Sequence, residues 1–323
     1  MTGTTALVIG GTGVMGARVV RTLAARSGDV VRVLTRNPSS ERARALVGDT
    51  PGDVRLVRGD LDDEESLKAA FHGVDQVFCN TDFFATASPE GEYAQGLRAL
   101  RAAREAGVDR FVWSSLDNAA VLTDGRIPVP HYDAKAAVEA RIALHRSEEA
   151  MRQEPDGWYS RHVAVLVTAP YFENLYDLAP RRTRLPDGRD GLRFGLPLGE
   201  AGRWPLIALD DIAWFARHLL DHWDEWGGRT LRVAADSLTG DEIAAAFERV
   251  TGVPSAYEAV ELDEFARSIP GVGHDLAAMF AFFQERDILS RDRDLPALRA
   301  RHPQLATFTD WLTSTGWDGT ARG

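Results

Sequence analysis

The feature that most constrains this chain is a run near its start, Ala6-Leu7-Val8-Ile9-Gly10-Gly11-Thr12-Gly13-Val14-Met15-Gly16. An apolar stretch of strand length meets a glycine loop, and the loop opens an amphipathic helix. Each glycine of the triplet has its own reason to be there. Gly10 permits a tight turn, Gly13 lets a ligand's pyrophosphate approach the backbone, and Gly16 lets the helix lie close on the strand. With Gly11, Thr12, Val14 and Met15 they form a candidate cradle, because the first turn of a helix offers unpaired N–H groups to an anion. A glycine triplet alone would be an ordinary turn; between a strand and a helix it reads as a dinucleotide site.

The rest of the first half supports that context. Short β-branched runs, near 6–9, 30–35, 54–58, 76–79, 110–114 and 163–167, alternate with helical stretches near 14–25, 39–46, 64–71, 91–106 and 134–151. Six strands joined by helical crossovers predict an α/β fold, a doubly wound parallel Rossmann sheet whose carboxyl edge lines a ligand crevice. After residue 170 the rhythm breaks at Pro180, Pro186, Pro197 and Pro205, and a strand-like run at 231–234 precedes helices near 240–251, 276–283 and 305–315. The expected division is a nucleotide-binding domain over 1–170 plus 205–235, and a smaller, mainly helical lobe for substrate or partner over 171–204 and 236–323.

Composition narrows the partners. With 37 Lys plus Arg against 48 Asp plus Glu, the formal net charge of -11 repels nucleic acid, and direct binding to it is not expected. No apolar run approaches the length of a membrane span, and the chain passes from Met1 to a strand with no room for a leader, so a cytoplasmic location is expected. The lone cysteine, Cys79, cannot form an internal disulfide and reads as a small buried strand residue.

The ligand's identity is written after the second strand, in Thr35-Arg36-Asn37-Pro38. An NAD site would carry an acid there for the ribose 2′-hydroxyl. Arg36 instead offers a planar guanidinium to a 2′-phosphate, with Arg42 as a second cation, and predicts NADP(H). After the third strand Asp60 is placed to accept from the adenine amino group and Leu61 to pack on the ring, while Asp62 or Asp63 caps the next helix. Thr81, Asp82 and Phe83 follow the fourth strand, where a loop meets the cofactor's ribose.

Together with Gly59-Asp60, Pro170-Tyr171-Phe172-Glu173-Asn174-Leu175 and the late stretches 275–280 and 308–312, these motifs make the sequence resemble the NmrA-like family of atypical short-chain dehydrogenases. The resemblance runs through nearly the whole chain. It implies an extended Rossmann domain that binds NADP(H), in either a reductase of small molecules or a redox-sensing regulator. Ordinary short-chain reductases place a tyrosine four residues before a lysine on one helix. Here His131-Tyr132-Asp133-Ala134-Lys135 puts His131 at that position, and Tyr132 is turned about 100° away. His131 is thus the candidate proton donor, its alternative being a structural or binding residue, and the resemblance gives Lys135 the ribose. It also brings Ser114 or Ser115 to substrate or nicotinamide, unless they only cap a turn, and Pro170, Tyr171 and Phe172 beneath the nicotinamide, their alternative being a turn with a core aromatic.

The stretch 144–161 is longer than the resemblance implies and would reshape the rim of the cleft. Phe83, Phe84, Tyr171, Phe172, Phe194, Trp204, Phe280, Phe282 and Phe283 could roof an apolar pocket, with at least half of them expected in the core. His218 and His222 have zinc-compatible spacing but no third ligand, and no metal is expected. Two readings remain: an NADPH-dependent reductase of a small aromatic or polyketide-like carbonyl or related acceptor, and a sensor of NADPH and NADP+ that acts on a protein partner.

Overall fold

The strand-loop-helix at the start forms as the sequence directs. In the computed structural model, which describes residues 3–321, β1 (Thr5–Ile9) ends at Gly10 and α1 (Val14–Ala24) begins directly after Gly13. The alternation continues through β2 (Val30–Thr35), α2 (Glu41–Gly48), β3 (Asp53–Arg58), α3 (Glu64–Phe71) and β4 (Gln76–Cys79). Next come α4 (Phe83–Thr86), α5 (Pro89–Glu105), β5 (Arg110–Ser115), α6 (Ala119–Leu122), α7 (Pro130–Met151), α8 (Trp158–His162) and β6 (Val163–Val167). A 3-10 turn (Phe172–Tyr176), β7 (Arg181–Arg184), β8 (Asp190–Leu196), β9 (Trp204–Leu206), α9 (Leu209–Asp221), α10 (Trp223–Trp226) and β10 (Thr230–Arg232) follow. The chain closes with β11 (Asp236–Leu238), α11 (Gly240–Thr251), β12 (Ser255–Ala259), α12 (Leu262–Ser268), α13 (Gly273–Glu285), α14 (Ile288–Asp292), α15 (Leu295–Arg301) and α16 (Phe308–Thr315).

Contacts divide the chain into two units. The first takes the residues through Asn118, with Pro130–Val167 and Ile212–Leu231. Its sheet runs β10-β6-β5-β4-β1-β2-β3, and β1 to β6 pair in parallel. Where six strands were expected there is a seventh, because the strand-like run near 231 sits beside β6 at the sheet edge. The order reverses between β1 and β4, so the crevice a doubly wound sheet offers to ligands opens beyond Ile9 and Cys79. Strands β4 and β6 are buried at every position, as expected of strands covered by helices on both faces. Leu7, Ile9, Val77, Phe111, Trp113 and Val165 belong to one continuous core, and each such side chain stabilises the fold by roughly 1.5–3 kcal/mol.

Two elements of this unit differ from expectation. Helix α7 begins at Pro130 rather than Ala134, because proline at the first helical position lacks an N–H that would go unpaired there and already has helical φ. His131 and Lys135 are therefore both helical. The long 144–161 stretch is the last turns of α7, a turn and α8, tied together by buried Glu149, which accepts from Tyr159 N, Ser160 N and Ser160 Oγ at 2.7–3.0 Å.

The second unit takes Ala119–Val129, Thr168–Asp211 and the chain from Arg232 on. It holds a three-stranded sheet, β12-β8-β7, and a two-stranded one, β11-β9. Its core is aromatic: Phe194 packs edge-on against Phe247 with centroids 5.3 Å apart, and Trp204 lies 5.2 Å from Phe280. Among the described residues no helix is long and apolar enough to cross a membrane.

Candidate functional site

The glycine loop shows which positions the fold itself demands. Gly10 has φ +76°, and a Cβ there would lie 2.2 Å from Asn80 O. A Cβ on Gly16 would lie 2.1 Å from Gly10 O, so α1 sits on the loop only because that position is bare. Gly13 differs: an added Cβ meets nothing nearer than Gly10 O at 3.3 Å. The chain's own packing therefore constrains position 13 less severely than positions 10 and 16. Met15 and Gly11 are buried, Thr12 is half-buried and Val14 is exposed.

Arg36 stands one residue past β2, on the side of β1 away from β4. It is exposed and makes no ion pair or hydrogen bond with any described residue, and neither does exposed Arg42 on the first turn of α2. Both guanidiniums retain their donors for a dianion. Asp63 caps α3 by accepting from Glu65 N and Ser66 N. Asp62 accepts from Gln95 Nε2 at 2.9 Å and pairs with Arg98. Asp60 is half-buried, and its Oδ1 accepts from Asp62 N at 3.0 Å while its second carboxylate oxygen has no such bond. Leu61 packs against the core of the first unit.

Beyond β4 the chain turns through Asn80 and Thr81 into α4, which Asp82 caps by accepting from Phe84 N at 3.1 Å. Thr81 is buried, and its hydroxyl donates to Glu92 Oε1 at 2.6 Å. Lys135 arrives from α7 and donates to Thr81 O at 2.8 Å, Thr81 Oγ1 at 3.1 Å and Asn80 Oδ1 at 3.3 Å. Its ammonium also pairs with Glu92 Oε1 at 2.8 Å, and the two side chains are 10% and 0% exposed. Removing one member of such a buried pair leaves the other uncompensated, at a cost of about 3–5 kcal/mol. Cys79, fully buried nearby, has its thiol pushed up to about 12 by desolvation, so it is no nucleophile.

Sequence reasoning missed Glu92, although a signal was present. On α5 the buried positions Glu92, Gly96, Ala99 and Ala103 form one stripe. A carboxylate opening a stripe of small residues has to find a partner inside the protein.

His131 and Tyr132 both lie on the buried side of α7. The His131 ring packs among Tyr132, Phe84 and Phe83, with centroids at 4.8, 5.5 and 6.0 Å. Tyr132 is 1% exposed and His131 8%, whereas Phe84 is 47% exposed and gives the cluster an open edge. Ser114 is buried with its Oγ 3.7 Å from Met15 Sδ, which ties the end of β5 to the cradle. Ser115 Oγ donates to Leu116 O and bonds Glu139 Oε2 at 3.2 Å.

In the second unit Pro170 is buried and Tyr171 half-buried, with Tyr171 bridged to Ile207. Phe172 is fully buried against Phe308 and Trp311 at 5.5 and 5.7 Å. Phe194, Trp204, Phe280, Phe282 and Phe283 are core as well. Of the aromatics expected to roof a pocket, only Phe84 is exposed. His218 stacks between Trp214 and His222, with centroids at 4.9 and 4.2 Å.

Comparison with known proteins agrees with this architecture. An NmrA-like family domain-containing oxidoreductase of Aspergillus hancockii is 31% identical over 265 residues, 79% of this chain and 74% of its own. Among solved structures, NmrA, a negative transcriptional regulator in complex with NADP, superposes with a TM-score of 0.74 at 19% identity, covering 98% of this chain and 99% of its own. An NADPH-dependent quinone oxidoreductase of Escherichia coli, complexed with NADPH, gives 0.70 at 19% identity, covering 97% and 100%. The model of the NmrA-like family matches residues 2–302. The glycine cradle, the switch-point sheet and a match over nearly the whole sequence lead to one conclusion: the chain belongs to the NmrA-like family.

Proposed function

We propose that the protein binds NADP(H) and reduces a small, flat carbonyl compound, aromatic or polyketide-like, in the cytoplasm. The observation that carries the cofactor half is the exposed, uncommitted guanidinium of Arg36 just past β2, with the loop after β1 beside it, where Gly10 and Gly16 have no room for a Cβ. The donor set suits the group: a guanidinium for the 2′-phosphate and first-turn N–H groups of α1 for the pyrophosphate. Asp60 retains an acceptor oxygen for the adenine amine. NADP-bound and NADPH-bound relatives of the same fold support this reading.

When bound, NADPH supplies the hydride. The chain's own residues supply placement and a proton. Lys135 holds the loop that carries Asn80 and Thr81, and Ser114 holds Met15 in the cradle. The His131 imidazole, one turn before Lys135 and beside the exposed Phe84 ring, donates to the carbonyl oxygen as the C–H bond forms. The balance is one hydride and one proton added to C=O, giving an alcohol and NADP+; solvent reprotonates the imidazole. Phe84 offers an apolar face on which a flat substrate stacks.

One observation favours a second reading. The ammonium of Lys135 is enclosed by Asn80, Thr81 and Glu92, and Tyr132 and Ser114 are buried, which would suit a protein that holds the nucleotide without chemistry and signals to a protein partner. The experiment is NADPH oxidation followed by absorbance with a panel of quinones and aromatic ketones, beside cofactor titration by calorimetry. A reductase turns over at least one compound, and His131→Ala lowers kcat by about 100-fold or more at unchanged NADPH affinity. Tight binding without turnover selects the sensor; failure to bind either form of the cofactor removes both.

A further inference from the structure

This chain writes nearly every basic position as arginine, 35 of them against two lysines, Lys68 and Lys135. Lys68 is exposed on α3, paired with Glu65. Lys135 is inside, and its surroundings show why arginine would not serve. Four acceptors close around one nitrogen at 2.8–3.3 Å, and the Trp113 ring lies 5.7 Å away. A compact ammonium with rotatable donors fits that cage, while a planar fork does not. The direction of donation is set as well. The Thr81 hydroxyl has one proton and gives it to Glu92, so its lone pair is left for Lys135. Glu92 caps no helix and meets no surface cation, and its Oε2 is buried with no hydrogen-bond partner among the described residues. Its bonds are all directed at Lys135 and Thr81.

We propose that Glu92, with Thr81, is the positioning residue of Lys135, anchoring the ammonium and through it the Asn80–Thr81 segment that forms one wall of the glycine cradle. The link to the cradle is direct. Asn80 N donates to Ile9 O at 3.2 Å, and Asn80 O is the atom that a Cβ on Gly10 would meet at 2.2 Å. Releasing the lysine frees that wall. The proposal rests on the NADP(H) reading only for its cofactor arm.

Having two lysines makes the test clean. The full-length protein, without cofactor, is acetylated with an N-hydroxysuccinimide ester, and the rates at Lys135 and Lys68 are read by peptide mass spectrometry. In the wild type Lys135 lags far behind Lys68. Glu92→Gln and Thr81→Val raise the Lys135 rate about tenfold and leave Lys68 unchanged, an effect expected when a buried charge-assisted bond is lost. Cys79 stays inert to a thiol reagent, which separates local release from unfolding. Thr81→Ser, which keeps the hydroxyl, restores the wild-type rate, and NADP+ affinity follows the same order. Should Glu92→Gln fail to fold, the Thr81→Val and Thr81→Ser pair decides. Folded variants in which Lys135 labels as slowly as in the wild type overturn the proposal. A wild type that ignores NADP+ sinks the cofactor reading instead, because the labelling ratio needs no cofactor.

Discussion

At the scale of single residues, Arg36 combines three properties: it follows β2 directly, it is exposed, and its donors are unclaimed. A guanidinium bonded to a phosphate is worth about 1.5–3 kcal/mol, so Arg36→Asp should weaken NADP+ binding by about 10- to 100-fold while NAD+ binding holds or improves. Calorimetric titration of both nucleotides checks this, and unchanged NADP+ affinity in the variant would contradict the role given to Arg36. Arg36 was legible because a doubly wound sheet assigns a chemical task to one position in the sequence. His131 and Lys135 were legible because helical spacing alone puts them on one face. Glu92 was not read, because its meaning depends on Thr81 and Lys135, which reach it from other elements.

Among elements, the strand, loop and α1 make a prediction that separates folding from binding. Gly16→Ala forces a methyl to within 2.1 Å of a backbone oxygen and should destabilise the protein by about 1–3 kcal/mol, seen as a lower thermal midpoint. Gly13→Ala meets only one atom of the chain, at 3.3 Å, and should cost within about 1 kcal/mol while abolishing NADP+ binding. If the Gly13 variant binds as well as the wild type, the cradle is not where the phosphates lie. Two helix starts were misplaced in the sequence although a cap announced each of them. Ser88 accepts from Gly91 N and Pro89 opens α5, so the helix starts ahead of the apolar periodicity at Gly91. Ser40 likewise caps α2 and delays its start to Glu41.

For the molecule as a whole, the clearest pH dependence lies in the second unit, at Asp236. Burial holds its carboxyl above the ordinary value, against the opposing hydrogen bond from Phe308 N and the charge of Arg299. The native state thus binds this proton more tightly than the unfolded chain. The stabilisation from Asp236 is present below the ordinary carboxylate range and is lost as pH rises through the raised native value. Asp236→Asn keeps an acceptor for Phe308 N and should raise the thermal midpoint at neutral pH, with the gain shrinking in acid. Scanning calorimetry across pH tests this, and a midpoint lowered at neutral pH would show the charge to be stabilising. By itself the sequence determined the α/β class, the strand, glycine loop and helix at its start, and the helical register of His131 with Lys135, because each follows from local backbone sterics or from a repeat of a few residues. Only the tertiary structure decided which aromatics are core, where the seventh strand pairs, and that the lysine is caged by a carboxylate, because burial and charge pairing depend on which distant segments the fold brings together.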